Sequence, residues 1–146
     1  MKRLGFLFIF LVTLMMTSCN ALQTTAGSGA LAQTAGQTCG SAILGLYNAY
    51  KSTGTISLAD PANLGYALSL ATAYTQIKQN KDNKSYRKAF TSGLILSSAG
   101  LITKNNSNAF LDALLAANGL STLNTSSSPA QTQTAANSIS GLLKTL

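Results

Sequence analysis

Between Gly29 and Lys51 the apolar positions Leu31, Ala35, Cys39, Ala42, Ile43, Leu46, Tyr47 and Tyr50 recur at steps of three and four. This spacing predicts an amphipathic helix, with Gly54 as its stop. Ala32, Gly36 and Gly40 stack at four-residue intervals on the same stretch. Small residues so placed let a second helix approach closely, against a cost of about 1 kcal/mol per glycine relative to alanine. Asp60-Pro61 opens a second predicted helix, to about Asn80, because Asp caps free amides and Pro at the first helical position already has the required φ. Two stripes, Leu64-Leu68-Ala71 and Leu70-Tyr74-Ile77, lie side by side on it. They form a wide apolar arc and predict a central position.

A third helix is predicted from Lys84 or Ser85 to Ile102 or Thr103, with Tyr86, Phe90, Leu94, Ser97 and Leu101 along one face. Ser92-Gly93-Leu94-Ile95 is echoed seven residues later by Ala99-Gly100-Leu101-Ile102. In helical register the echo sets Gly93 and Gly100 two turns apart on one side; a strand through Leu94-Ile95-Leu96 is the competing expectation. After a turn cluster at 104–108, Phe110, Leu111, Leu114 and Leu115 predict a short fourth helix closed by a left-handed cap at Asn118-Gly119. The polar run 121–128 reads as a mobile linker. Ser128-Pro129 then restarts a helix whose stripe, Ala136, Ile139, Leu142, Leu143 and Leu146, is expected to close over the bundle, since left exposed it would invite aggregation; docking on another molecule is the alternative. The expected fold is all-α, a small bundle of about five helices over residues 29–146.

The first twenty residues carry a different pattern. Lys2 and Arg3 precede an apolar run from Leu4 to Met16, broken only by Gly5 and Thr13. That run falls short of the roughly 20 residues a membrane helix requires, and it ends in small residues, as a cleaved secretory signal does. Met16-Thr17-Ser18-Cys19 resembles the lipobox of bacterial lipoproteins, with Met16 in place of the preferred Leu. The resemblance implies a diacylglycerol on the Cys19 sulfur, removal of residues 1–18 and acylation, with palmitate or a similar chain, of the new amino terminus. Two or three chains suffice for stable anchoring where one does not. Asn20 after the cysteine resembles the pattern forwarded to the outer membrane. The expectation is an exported protein, lipid-anchored to the bacterial cell envelope at the outer membrane, with residues 19–28 as lipidated cysteine and flexible tether.

Removing 18 of the 146 residues leaves 128, enough for one domain. Lys2 and Arg3 leave with the signal, taking the net charge from +7 to +5. There is no His, Glu or Trp, and the carboxylates are Asp60, Asp82 and Asp112. Metal sites and general acid/base pairs are normally built from His and carboxylates, so neither a metal, a cofactor nor an enzyme is expected. Asp60 before Pro61 is accounted for by capping alone. Cys39, the thiol left once Cys19 is lipidated, is expected to be a small buried apolar residue; an intermolecular bridge and a reactive thiol are the alternatives, the latter without a His to activate it.

One charge feature stands out: Lys78, Lys81, Lys84, Arg87 and Lys88, interrupted by Asp82. Lys81, Lys84, Arg87 and Lys88 are candidate contacts for an acidic ligand, whether phosphate-bearing headgroups or envelope glycans. Nucleic acid is not an expected partner of an exported protein, and a solvated loop is the plain alternative. The functional expectation is a lipid-anchored envelope protein of structural or protein-interaction type, its partner an envelope protein or a second copy. The runner-up is a small-molecule or lipid-binding module using an apolar cavity between Gly- and Ala-lined helices together with the basic turn at 78–88.

Overall fold

The structure, a computed structural model, describes residues 28–146. The expected signal peptide, Cys19 and the tether through residue 27 lie outside the described residues. The chain forms α1 (Ser28–Thr53), α2 (Pro61–Gln79), α3 (Lys84–Ser97), α4 (Ser107–Ala116), a 3-10 turn (Asn118–Thr122) and α5 (Pro129–Leu143), with no strand among the described residues. This is the all-α bundle of five helices that the periodicity predicts. Among the described residues no helix is long and apolar enough to cross a membrane.

Local chemistry sets the helix ends. Gly54, at φ 72°, closes α1 by donating its amide to the Tyr50 carbonyl at 2.7 Å. The Asp60 carboxylate accepts from the Ala62 amide at 2.9 Å with Pro61 at the first helical position. Asn83 caps α3 by accepting from the Tyr86 amide. At α5, Ser128 and Gln131 form a reciprocal capping box around Pro129.

α1 and α3 are parallel and in backbone contact. A Cβ on Gly36 would collide with the Phe90 carbonyl and stand 2.9 Å from the Leu94 nitrogen, while one on Gly40, a turn later, would stand 2.7 Å from the Leu94 carbonyl oxygen and 3.2 Å from the Ser98 nitrogen. From the other side, a Cβ on Gly93 would collide with the Gln33 carbonyl. The close-packing stripe Ala32-Gly36-Gly40 thus has its partner within the chain, and Gly93 completes it. Around this contact Cys39, Ile43, Leu46, Leu70, Ile77, Phe90, Leu94, Phe110, Leu111 and Leu114 are buried in one core.

The structure differs from three expectations. α3 ends at Ser97 rather than near Ile102, because Ala99 and Gly100 turn left-handed at φ 51° and 82°. The buried Ser98 hydroxyl accepts from the Ile102 amide at 3.3 Å and folds Ile102 back into the core, so Gly100 does not share a helix face with Gly93. Asn118-Gly119 is not a left-handed cap, since neither residue has positive φ; the segment is the 3-10 turn, and Gly119 is pressed against α5. Leu31, placed on the buried stripe of α1, is 45% exposed.

The last helix closes over its own bundle, the expectation preferred over docking on another molecule. Its stripe is spent inside the domain: Ala135, Ala136, Ile139, Leu142 and Leu143 are buried, and α5 packs on the 3-10 turn, α1 and α4. The 121–128 segment that leads to it is a hydrogen-bonded turn, in which the Ser127 hydroxyl accepts from the Asn124 amide at 2.7 Å and Leu123 is buried.

Candidate functional site

The basic residues are arranged by one turn and two helix ends. Asn80 ends α2, donating its side-chain amide to the Gln76 carbonyl, and three residues later Asn83 starts α3. The first two turns of α3 then set Lys84, Arg87, Lys88 and Thr91 at positions i, i+3, i+4 and i+7, which share one face. Asn108, Leu111 and Asp112 of α4 stand opposite, and together these seven residues line an open cleft of about 560 Å³. Of the four candidate acidic-ligand contacts, Lys84, Arg87 and Lys88 are therefore brought together. Lys81 is not among the residues lining this cleft; it sits on the turn, where its carbonyl accepts from an Arg87 guanidinium nitrogen at 3.5 Å. Lys78 holds its ammonium 5.5 Å from the centre of the Tyr74 ring. The exposed Asp112 carboxylate, which spacing alone did not associate with the basic run, shares the cleft with its three cations.

The turn also has a definite place in the bundle. Leu31 near the start of α1, Gln76 near the end of α2 and Tyr86 near the start of α3 line one groove, so the amino-terminal end of α1 and the basic turn occupy the same end of the molecule. The parallel register of α1 on α3 agrees: stepping back one turn from Gly36 against Phe90 brings Leu31 and Ala32 level with Tyr86 and Arg87. Tyr86 stacks on Phe90 at 6.4 Å, and partial burial raises its phenol pKa.

That groove, of about 370 Å³, continues along α1 and α2 into a second of about 350 Å³ through the shared residues Thr38 and Ser69. No charged side chain lines either part. The hydroxyls of Thr34, Thr38, Ser69 and Thr72 donate to carbonyls one turn back in their own helices at 3.0–3.1 Å. These four donors are spent, while the side-chain amides of Gln37 and Gln76 and the hydroxyls of Ser41, Tyr66 and Tyr86 also line the groove, which is neutral and polar along its length. Leu31 borders one part and Tyr66, 38% exposed with its ring against Gly45, borders the other. Apolar periodicity does not single out this groove; the neutral polar rows Thr34-Thr38-Ser41 and Ser69-Thr72-Gln76 were its signal in the chain.

Cys39 lies outside both surfaces. It is fully buried in α1, and desolvation pushes its pKa up to about 12, which disfavours the thiolate that nucleophilic or ligand chemistry requires. Comparison of the chain with protein-family models, with curated proteins and with solved structures finds no match in any of the three.

Proposed function

We propose that this chain is a non-catalytic, lipid-anchored protein of the bacterial cell envelope, exported by its signal peptide, held at the outer membrane through acyl chains on Cys19, and engaged in protein interaction. The interaction part rests on one observation. The continuous α1–α2 groove carries no charge along its length and is bordered by Leu31 and Tyr66, two of the large apolar residues most exposed among those described. A neutral groove with apolar ends suits an uncharged segment of another envelope protein, because no buried charge has to be matched on binding. What favours this over the small-molecule module is that the helix glycines do not leave an apolar cavity: backbone of the facing helix fills the space at Gly36, Gly40 and Gly93.

Native mass spectrometry of the mature protein, gently extracted from its own membrane, tests the reading. The expected spectrum shows a chain lipidated at Cys19 in a defined protein complex, and Thr38→Lys, at an exposed position common to both parts of the groove, abolishes that complex while leaving the fold intact. A lipidated monomer carrying a reproducible small mass overturns the interaction reading in favour of a binding module. A mature chain without lipid overturns the anchor.

A further inference from the structure

We infer that the basic turn at 78–88 is the membrane-facing end of the domain and lies against anionic lipid headgroups, fixing the orientation of the bundle on the bilayer. The inference rests on the anchor reading above and adds to it the surface that meets the membrane. Five cations against the single carboxylate of Asp82 are concentrated between Lys78 and Lys88, and all but the half-buried Arg87 are exposed. They occupy the end of the bundle at which α1 begins. Ser28 is nine residues on from Cys19, and nine residues reach at most about 32 Å even when fully extended. The chain therefore enters the domain beside its own cationic cluster, within reach of the bilayer.

The other end is too far away to compete for the same surface. Lys51, in the last turn of α1, is twenty residues from Leu31, about 30 Å along the helix axis. Attraction to anionic headgroups decays over a Debye length of about 8 Å at physiological ionic strength. With the basic end at the surface, Lys51 stands several Debye lengths out. Turning the domain over would move the five cations of the turn out of that field and bring in Lys51, near the Asp60 cap, and Lys104, in the turn that follows α3. Asp112 weakens the cleft between α3 and α4 as a pocket for a free anion, but it does not change the excess of positive charge on the turn, so a flat anionic surface fits this end better than a small acidic ligand does.

The test uses the full lipidated chain reconstituted on vesicles of phosphatidylcholine alone or of phosphatidylcholine with about 30% phosphatidylglycerol, an anionic surface of bacterial type. The rate at which a membrane-impermeant amine reagent labels each lysine is read by mass spectrometry. Lys78, Lys81, Lys84 and Lys88 are expected to label on the order of fivefold more slowly on the anionic vesicles, with Lys51 unchanged and the difference erased by high salt. In Lys84→Glu/Lys88→Glu, whose sites are exposed, the protection of Lys78 and Lys81 is expected to disappear while the helical signal persists. Equal labelling on the two vesicle types, or protection of Lys51 to the same extent, overturns the orientation while leaving the anchor standing. An intact mass without diacylglycerol on Cys19 overturns the anchor reading, and this inference with it.

Discussion

Gly36 of α1 lies against the main-chain carbonyl of Phe90 in α3 with no space between them for a methyl group. A side chain at this point meets backbone, not a flexible neighbour, so the helices must separate to admit it. Gly36→Ala gains up to about 1 kcal/mol of helix propensity and loses more through overpacking, typically 1–3 kcal/mol and here toward the upper end. Chemical denaturation should show a clear net loss. Gly65→Ala is the matched control, because a Cβ there meets nothing within 4 Å; it should stabilise by about 0.4–1 kcal/mol. Gly36→Ala with Gly93→Ala should cost less than the sum of the two, since both push the same pair of helices apart.

One hydroxyl hydrogen-bonds the 3-10 turn to α5. Ser138 donates to the Thr134 carbonyl at 3.0 Å and accepts from the Gly119 amide at 3.2 Å. Ser138→Ala leaves the amide of buried Gly119 without this partner, and a loss of about 1–3 kcal/mol is expected in urea unfolding.

Removing residues 129–146 altogether takes away buried Ile139, Leu142 and Leu143, each worth about 1.5–3 kcal/mol, against a total stability of about 5–15 kcal/mol for an ordinary domain. The truncated chain is therefore expected to lose its cooperative unfolding transition. A folded remainder, detected by circular dichroism and a retained transition, would mean that α5 is peripheral to the core.

These relationships differ in how far they can be read along the chain. Asp60 before Pro61, Ser128 before Pro129 and Gly54 after the last apolar position act within a turn of their own location, so local spacing specifies them. The Gly36-Gly40 pair announces that something packs closely there, but the identity of the partner needs α3 to lie parallel beside it, which no local rule states. The end of α3 is not legible from local spacing, for a physical reason. The Gly93 and Gly100 echo is compatible with a continuous helix, and the stop depends on Ala99 adopting φ 51°, a conformation alanine disfavours, with the chain held by the Ser98 hydroxyl at Ile102. On the surface, the shared face of Lys84, Arg87 and Lys88 follows from helical spacing, whereas the approach of Asp112 and the α1–α2 groove arise only from tertiary packing.

The capping box at Ser128 is a separate test of how α5 is held. The Ser128 hydroxyl accepts from the Gln131 amide at 3.4 Å, and the Gln131 side chain accepts from the Ser128 amide at 3.0 Å. Ser128→Ala should cost about 0.5–2 kcal/mol, and Ser128→Asp, which keeps an acceptor and adds negative charge at the positive end of the helix, should retain most of the stability. Equal losses in both variants, measured by thermal unfolding, would show that the Pro129 start and not the cap determines this helix end.

Cys39 makes the folded chain sensitive to alkaline pH. Burial raises the thiol from its ordinary 9.0 to about 12 in the folded chain, so folding favours the protonated form. A group with a raised folded pKa contributes its full stability below the unfolded value and loses it as pH rises through the folded one. The contribution is thus constant below about pH 8 and declines from about pH 9 to pH 12, at up to about 1.4 kcal/mol per pH unit while the thiol ionises only in the unfolded chain. Tyrosines and lysines titrate in the same range, so the measurement is a difference. In a Cys19→Ser background, urea stability between pH 7 and 11 is compared with that of the same chain carrying Cys39→Ala. The Cys39 chain is expected to fall more steeply above pH 9, and at pH 8 its thiol should react with a maleimide only after denaturant is added. Rapid labelling of the folded chain, or parallel pH profiles in the two variants, would contradict a sealed core at Cys39.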